Sequence, residues 1–105
     1  MTEDVKQMYD DMLSMIDGLD GISYKIAKDW IKSYCENETV LRAEREKLSR
    51  EGTIVERPNG DKENPRVALI KKYEQMEIKY GKELKTVVEK AGVASVDRLA
   101  AYVGR

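Results

Sequence analysis

The sequence contains no histidine and no phenylalanine, and only one cysteine, one tryptophan and two prolines occur among its 105 residues. Without histidine, the commonest general base and metal ligand of enzymes is missing. The single cysteine, Cys35, cannot form an intrachain disulfide and fits a reducing cytosol. It also has no histidine to activate it, so we interpret it as a small, partly buried helix residue.

Other signatures of a catalytic or cofactor site are missing as well. No glycine-rich segment has the spacing with lysine and serine or threonine that cradles a phosphate. Acidic pairs such as Asp10-Asp11 and Glu44-Glu46 are best explained as solvated helix faces, and nothing singles out a metal site among them. No apolar run is long enough to cross a bilayer, and no basic-then-apolar leader opens the chain. We therefore expect a cytoplasmic protein that is not an enzyme, uses no cofactor and has no membrane partner.

Charge is abundant but unevenly distributed. The net charge is −1, yet residues 1–24 carry six acids against Lys6 alone, whereas residues 25–105 carry eighteen bases and fourteen acids. Any contact with nucleic acid is therefore expected from the second block and not from the acidic first helix. The near-neutral total argues against strong nonspecific DNA binding by an isolated monomer.

A chain of this size forms one domain with little capacity to bury apolar surface. Hydrophobic residues make up 41% of the sequence and include five methionines. Such a composition buries a modest apolar stripe on each helix without building a deep core. We therefore expect copies of the chain to cover the remaining apolar surface of one another.

Apolar spacing and local breaks divide this single domain, residues 1–105, into four helical segments and a hairpin. Apolar residues recur at helical spacing on both sides of a short break rich in glycine and proline. Thr2 and Ser23 are predicted to cap the first two helices. The predicted segments are an acidic helix with its turn over 1–22, a helix over 23–51, a hairpin over 53–63, a helix over 64–91 and a short helix over 95–104.

The break between the two long helices carries the strongest local signals. Gly52 is predicted to close the second helix in a left-handed conformation. Pro58-Asn59-Gly60 favours a turn between two short strands. Asn64 and Pro65 are the residue types preferred at the cap and at the first position of a helix. The expected fold is mainly α and oligomeric, with two long antiparallel helices joined by a short β-hairpin, an N-terminal helix across them and a short C-terminal helix.

This order of elements resembles the family of phage terminase small subunits. The similarity begins in the second helix at residues 29–35, which end in Tyr-Cys, and it continues to Gly52. It then includes the hairpin with Asn59-Gly60 and the helix start at Asn64-Pro65. It closes at residues 92–99, which are similar to the Gly-Leu-Thr-Pro-x-x-Arg motif of the family.

The resemblance implies a non-catalytic DNA-packaging factor of the host cell cytoplasm. Small terminase subunits form rings, recognise the packaging site on viral DNA and regulate the ATPase and nuclease of the large subunit. The implied partners are therefore double-stranded viral DNA, the terminase large subunit and further copies of the chain, in a ring of roughly eight to ten subunits. Ala94-Ser95 departs from the family motif, which favours Thr-Pro there, so Ser95 is expected to cap the last helix.

Three groups of bases are candidates for DNA contact. Lys25, Lys28 and Lys32 recur three and four residues apart on the second helix and are the preferred group. A second group surrounds the hairpin and the start of the third helix, whose dipole also favours a phosphate: Arg57, Lys62 and Arg66. A looser stripe on the third helix consists of Lys72, Lys79 and Lys82. For each group the alternative is a solvated face with ion pairs four residues apart, such as Lys25 with Asp29 and Lys32 with Glu36.

Structural or interface roles are predicted for a further set of residues. The aromatic side chains fall on apolar stripes, where packing is favoured over base stacking. Gly92 is expected to end the third helix, and Arg98 is expected to clamp helix carbonyls or an acid. The full set is Trp30, Tyr34, Gly52, Gly60, Asn64, Pro65, Tyr73, Tyr80, Gly92 and Arg98.

Two other functions fit parts of the sequence. Residues 84–103 imitate a helix-turn-helix regulator, but Arg98 occupies the place where such a motif needs a buried aliphatic side chain. A small adaptor or antitoxin-like module that binds only protein would use the acidic first helix and its methionine stripe, Met8, Met12 and Met15. A dimer favours the regulator, whereas a ring favours the packaging factor.

Overall fold

The computed structural model describes residues 1–55, 60, 62–91 and 96–103. These residues form α1 (Glu3–Met15), α2 (Gly21–Glu51), β1 (Ile54–Val55), β2 (Lys62–Glu63), α3 (Arg66–Ala91) and α4 (Val96–Val103). The prediction of a mainly helical chain with two long helices is confirmed. The predicted turn at Pro58-Asn59, the helix end at Gly92 and the cap at Ser95 lie outside the described residues.

Side-chain caps determine where the first two helices begin. The Oγ1 of Thr2 accepts a hydrogen bond from the N–H of Val5 at 3.4 Å, so the predicted cap of α1 is confirmed. The predicted cap at Ser23 is wrong. Instead, the Oδ1 of Asp20 accepts a hydrogen bond from the N–H of Ser23 at 2.8 Å, and α2 begins at Gly21. The same hydrogen bond lowers the pKa of Asp20, whose negative charge also suits a helix N-terminus.

α2 and α3 pack against each other in antiparallel orientation. Arg66 at the start of α3 contacts Glu51 at the end of α2. Further along α3, Gly81 lies beside Tyr34, which is in the first half of α2. α2 is 31 residues long, and at about 1.5 Å per residue it spans most of the 59 Å length of the molecule.

Asn64 ties the two long helices together at their junction. Its Oδ1 accepts a hydrogen bond from the N–H of Arg66 at 3.0 Å, as predicted for a cap. Its Nδ2 donates to the carbonyl oxygen of Gly52 at 3.1 Å and to Glu51 Oε1 at 3.0 Å. Its backbone N–H donates to the carbonyl of Thr53 at 2.7 Å, and the residue is only 3% exposed. One buried amide therefore caps α3 and closes the end of α2.

The chain between the long helices contains two very short strands. β1 and β2 pair in antiparallel register, with Ile54 opposite Glu63 and Val55 opposite Lys62. Gly52 and Gly60 have φ values of 84° and 110°, which favour glycine. Pro65 directly precedes α3, where its missing N–H leaves no hydrogen bond unmade.

The core lies at one end of the molecule, where all four helices meet. Met12 Sδ and Cys35 Sγ are 4.0 Å apart where α1 packs on α2. α4 packs on α3 at Gly81, where an added Cβ would lie 3.5 Å from the Cβ of Val103, an ordinary packing distance. The buried side chains of this core are Val5, Met12, Met15, Ile16, Ala27, Ile31, Tyr34, Cys35, Leu84, Val88 and Leu99.

α1 packs on one side of α2 and leaves the opposite side uncovered by any described helix. Cys35 contacts α1, and Ile26 lies nine positions earlier, about half a turn around the helix at about 100° per residue. Ile26 is 44% exposed. Trp30 and Tyr80 meet near this side, with ring centroids 5.9 Å apart. We call this surface the bare face; it consists of Ile22, Ile26, Trp30 and Val40 on α2 with Tyr73, Met76, Tyr80 and Val87 on α3.

Replacing Asn64 with alanine is expected to lower the free energy of unfolding by about 2–3 kcal/mol, because the cap and two side-chain donations are lost together. Urea unfolding followed by circular dichroism measures this loss. Asn64→Ser is the matched control, since a serine hydroxyl keeps a cap acceptor but cannot bridge to Gly52 and Glu51. The serine variant should lose less stability than the alanine variant. Unchanged stability in Asn64→Ala would contradict the role of this residue as a tie between the helices.

Candidate functional site

The preferred DNA-binding lysines lie together on the surface of α2. Lys25, Lys28 and Lys32 are all exposed, and at about 100° per residue they share an arc of about 60° around the helix. None of them forms an ion pair with another described residue, so the pairs of Lys25 with Asp29 and Lys32 with Glu36 are not made. The three ammonium groups are therefore available to an external anion such as a DNA phosphate.

The hairpin group of bases does not form one surface. Arg57 lies outside the described residues, whereas Lys62 is exposed on β2. Arg66 is held in the junction, where its Nε contacts Glu51 Oε1 at 2.8 Å and its Nη1 contacts Glu44. The interpretation of Glu44 as part of a solvated face is therefore wrong, because its side chain is only 12% exposed and pairs with Arg66. These contacts neutralise much of the Arg66 charge before any DNA arrives.

The remaining predicted bases are solvent-facing. Lys72, Lys79 and Lys82 are exposed along α3. Arg98 is exposed on α4 and makes no ion pair or hydrogen bond to another described residue. Its predicted role as a clamp stays a prediction.

The predicted aromatic residues divide between the core and the bare face. Tyr34 is 7% exposed and belongs to the core. Trp30 and Tyr80 are half-buried, and their rings are tilted by 37° to each other. The carbonyl of Tyr73 accepts a hydrogen bond from Asn37 Nδ2 at 2.8 Å across the α2–α3 contact. Packing between the two long helices therefore positions these rings.

A cavity of about 480 Å³ opens beside the core and is lined by all four helices. It combines apolar walls with five charged side chains. Its lining residues are Met8 from α1, Tyr34, Glu38, Leu41, Arg42 and Arg45 from α2, Glu74, Glu77 and Ile78 from α3, and Tyr102 and Val103 from α4.

Two ion pairs form between described residues of the cavity, and neither includes the carboxyl group of Glu77. Arg42 Nε contacts Glu38 Oε1 at 2.7 Å, and Arg45 Nη2 contacts Glu74 Oε1 at 3.2 Å. Glu77 has no ion pair with a described residue, and its buried Oε2 receives no hydrogen bond from any of them. An ionised oxygen that is buried without a hydrogen bond destabilises the folded chain. A proton on Glu77 or a donor from another molecule would remove this cost.

Glu38 and Glu77, the two neighbouring acids of the cavity, share one proton. Burial raises the pKa of Glu77 to about 8, assisted by a hydrogen bond to Glu38 and by the negative charge of that neighbour. Burial opposes ionisation of Glu38 too, but hydrogen bonds from Glu77 and Arg42 lower the pKa of Glu38 below its usual range. At neutral pH the proton therefore resides on Glu77 and the negative charge on Glu38.

Sequence reasoning missed this pair, although a signal for it exists. Glu38 follows the buried Ile31 by seven residues, and Glu77 follows the buried Ile70 by seven residues. Seven residues are about two helical turns, so each acid lies on the apolar stripe of its own helix. An acid on the apolar stripe of a helix indicates a buried carboxyl group that needs a partner.

Cys35 is fully buried, and burial raises the pKa of its thiol to about 12. A thiol in this environment stays protonated and packs as a small apolar group. No cluster of three or more potential metal ligands occurs among the described residues. No described helix is long and apolar enough to span a membrane.

The free energy of unfolding is expected to fall as the pH rises from about 5 to 8, because folded Glu77 retains a proton that the unfolded chain releases near the ordinary glutamate pKa of 4.5. The sequence has no histidine, so few other side chains titrate in this window. The lowered pKa of Glu38 acts at more acidic pH. Thermal unfolding at stepped pH measures the slope, and Glu77→Gln should remove most of it. A wild-type melting temperature that stays constant across this window would contradict a protonated Glu77.

A family model described as the small subunit of phage terminase matches residues 6–90. The match includes nearly all of α1, the whole of α2, the paired strands and almost all of α3. No curated protein and no solved structure matches the chain. The predicted resemblance to this family is therefore confirmed, although its last segment, residues 92–99, lies outside the matched range. The chain belongs to the phage terminase small subunit family.

Proposed function

We propose that this protein is a non-catalytic packaging factor that works in the cytoplasm of the infected host as a ring of roughly eight to ten identical subunits. In this proposal the ring recognises the packaging site on double-stranded viral DNA and regulates the ATPase and nuclease of the terminase large subunit. Family membership supports the general role in packaging. The observation that carries the assembly is the bare face.

The bare face exposes several large apolar side chains along one side of the helix pair. Ile22 is 78% exposed, Ile26 44% and Val40 39%, and the half-buried Trp30 lies among them. Full burial of one such isoleucine contributes about 1.5–3 kcal/mol. Contact between the bare face and a second copy would therefore stabilise an assembly without any change in the monomer fold.

The shape of the subunit points in the same direction. Its radius of gyration is 17.0 Å, whereas a compact chain of this length has about 13 Å. An elongated pair of helices offers long side surfaces to its neighbours. If the bare face meets a different surface of the next copy, the contact is heterologous and repeats until a ring closes.

Assembly also accounts for DNA binding by a nearly neutral chain. Lys25, Lys28 and Lys32 present three unpaired charges per subunit, which is a weak site when alone. A ring repeats this patch around one duplex, and the effective concentration of each further patch multiplies the affinity. The lysine patch lies apart from the bare face around α2, since Lys32 and Ile26 are separated by about 120° at about 100° per residue.

The structure favours the packaging role over the two other functions. The methionine stripe that an adaptor would present is mostly internal, because Met12 is fully buried and Met15 is 9% exposed. A helix-turn-helix in residues 84–103 would take its first helix from the end of α3, which is a continuous helix of 26 residues. Its recognition helix would carry the exposed Arg98 at a position that needs a buried aliphatic side chain.

Ile26→Asp is expected to dissociate the assembly, because a buried unpaired carboxylate strongly opposes association at the centre of an apolar contact. Size-exclusion chromatography with light scattering measures the particle mass. Ile78→Asp is the matched control, since Ile78 is 59% exposed on α3 but lies at the cavity and not on the bare face. The control should keep the wild-type mass. An unchanged particle mass of the Ile26→Asp protein would show that the interface does not lie on the bare face.

Changing Lys25, Lys28 and Lys32 together to glutamate is expected to reduce affinity for packaging-site DNA by roughly tenfold or more and to flatten its salt dependence, because three phosphate contacts per subunit are lost. Fluorescence anisotropy at two salt concentrations measures both effects, and light scattering checks that the particle remains intact. The matched control changes Lys72, Lys79 and Lys82 to glutamate, which alters the net charge equally. Equal loss in both variants would show only a general charge effect, and full binding by the first variant would exclude the α2 patch.

A further inference from the structure

The cavity beside the core has a property that neither DNA binding nor assembly requires. It joins a hydrocarbon wall to a carboxyl group that has one buried oxygen without a hydrogen bond from any described residue. Leu41 and Ile78 line it from the two long helices, and Met8 lines it from α1. The buried Oε2 of Glu77 receives no hydrogen bond from any described residue.

The charges around Glu77 show which kind of group would complete the site. Arg42 pairs with Glu38 and Arg45 pairs with Glu74, so neither guanidinium forms an ion pair with Glu77. With Glu77 ionised, the lining carries three carboxylates and two guanidinium groups, a formal charge of −1. A single positive charge would balance this lining, whereas an anion would be repelled by it.

We propose that this cavity binds an alkylammonium group, with its N–H donors on Glu77 and Glu38 and its hydrocarbon stem along Leu41 and Ile78. An ammonium offers three donors, and its stem matches the apolar wall. The volume of about 480 Å³ falls within the range of small-ligand sites, roughly 300–1,000 Å³. The group arrives either on the lysine side chain of a partner protein or on a free diamine.

Binding of the amine displaces a proton from the site. Before an amine binds, a proton neutralises Glu77, since burial and the neighbouring Glu38 raise the pKa of Glu77 to about 8. When the ammonium enters, that proton leaves to solvent and the charge of the site is unchanged. The other titratable groups lining the cavity are Tyr34, Glu38, Arg42 and Arg45 from α2, Glu74 from α3 and Tyr102 from α4; α1 contributes only Met8.

This exchange predicts a specific pH dependence. Only the ionised fraction of Glu77 accepts the amine, and for a pKa of about 8 that fraction grows roughly fifty-fold between about pH 6 and pH 8. An alkylammonium stays charged throughout this range, because its own pKa is near about 10.4. The dissociation constant should therefore fall by a similar factor.

The test is an NMR titration of the full chain, labelled at the methyl groups of leucine and isoleucine. The probe is n-butylammonium, and n-butanol is the control with the same stem and no charge. Shifts at Leu41 and Ile78 with n-butylammonium, absent with n-butanol and strengthening from about pH 6 to pH 8, are the expected result. Equal shifts with both compounds, no shifts, or binding that does not depend on pH would each overturn the proposal without any variant being needed.

Glu77→Gln adds a second arm, because glutamine removes the charge while keeping the shape. It should lose the butylammonium shifts, whereas Glu83→Gln, on the exposed surface of α3 outside the cavity, should retain them. Retained binding in Glu77→Gln would overturn the assignment of this carboxylate. Particle mass and DNA affinity are separate measurements, so failure of this site would leave the packaging proposal intact.

Two further probes distinguish the sources of the amine. Tighter binding of Nα-acetyl-lysine methylamide than of pentane-1,5-diamine identifies a lysine side chain of a protein partner. The reverse order identifies a free diamine. Absence of binding by both would overturn the proposal.

Discussion

Packing of α2 against α3 in antiparallel orientation holds every other described element of the chain in place. The contact runs from the junction, where Asn64 and Arg66 bind the end of α2, to the pair of Trp30 and Tyr80 nearer the opposite end. The short strands are too small to be stable alone, and α4 follows α3. Loss of the α2–α3 contact as a whole would therefore remove the surfaces that the two helices create together.

This contact is built from polar as well as apolar groups. The carboxyl pair of Glu38 and Glu77 lies within it, where a pair of aliphatic side chains would pack without a desolvation penalty. The packing therefore carries a cost that two leucines at these positions would avoid. Function is expected at a residue that interrupts the apolar pattern of its helix and whose desolvation cost is not fully offset by its contacts.

Much of the fold follows from local rules that need only the sequence. Apolar spacing predicts the long helices, and the residue types at Thr2, Gly52 and Asn64 predict their ends. The sequence predicts Ser23 as the cap of α2, but Asp20 holds that position. Both residue types are good caps and they are three positions apart, so only the backbone shows which one is used. Helix boundaries near such alternatives are the least certain part of any prediction from sequence.

The candidate sites depended on contacts that no local rule contains. The pairing of Arg66 with Glu44 crosses from one helix to the other, so a base predicted for DNA became part of the junction. The meeting of Glu38 with Glu77 likewise requires the register of α2 against α3. The common exposed face of Lys25, Lys28 and Lys32 could be predicted, because all three lie on one helix and their exposure depends on no contact with another element.

The central claim is that the bare face of the α2–α3 pair is covered by a second copy of the chain. Trp30 is the only tryptophan of the sequence and lies half-buried on this face, so its fluorescence reports directly on coverage. The most direct measurement is the emission maximum of Trp30 across a dilution series. The account predicts a shift to shorter wavelength as concentration rises and the indole loses contact with water. An emission maximum that stays constant while the particle mass increases would contradict it.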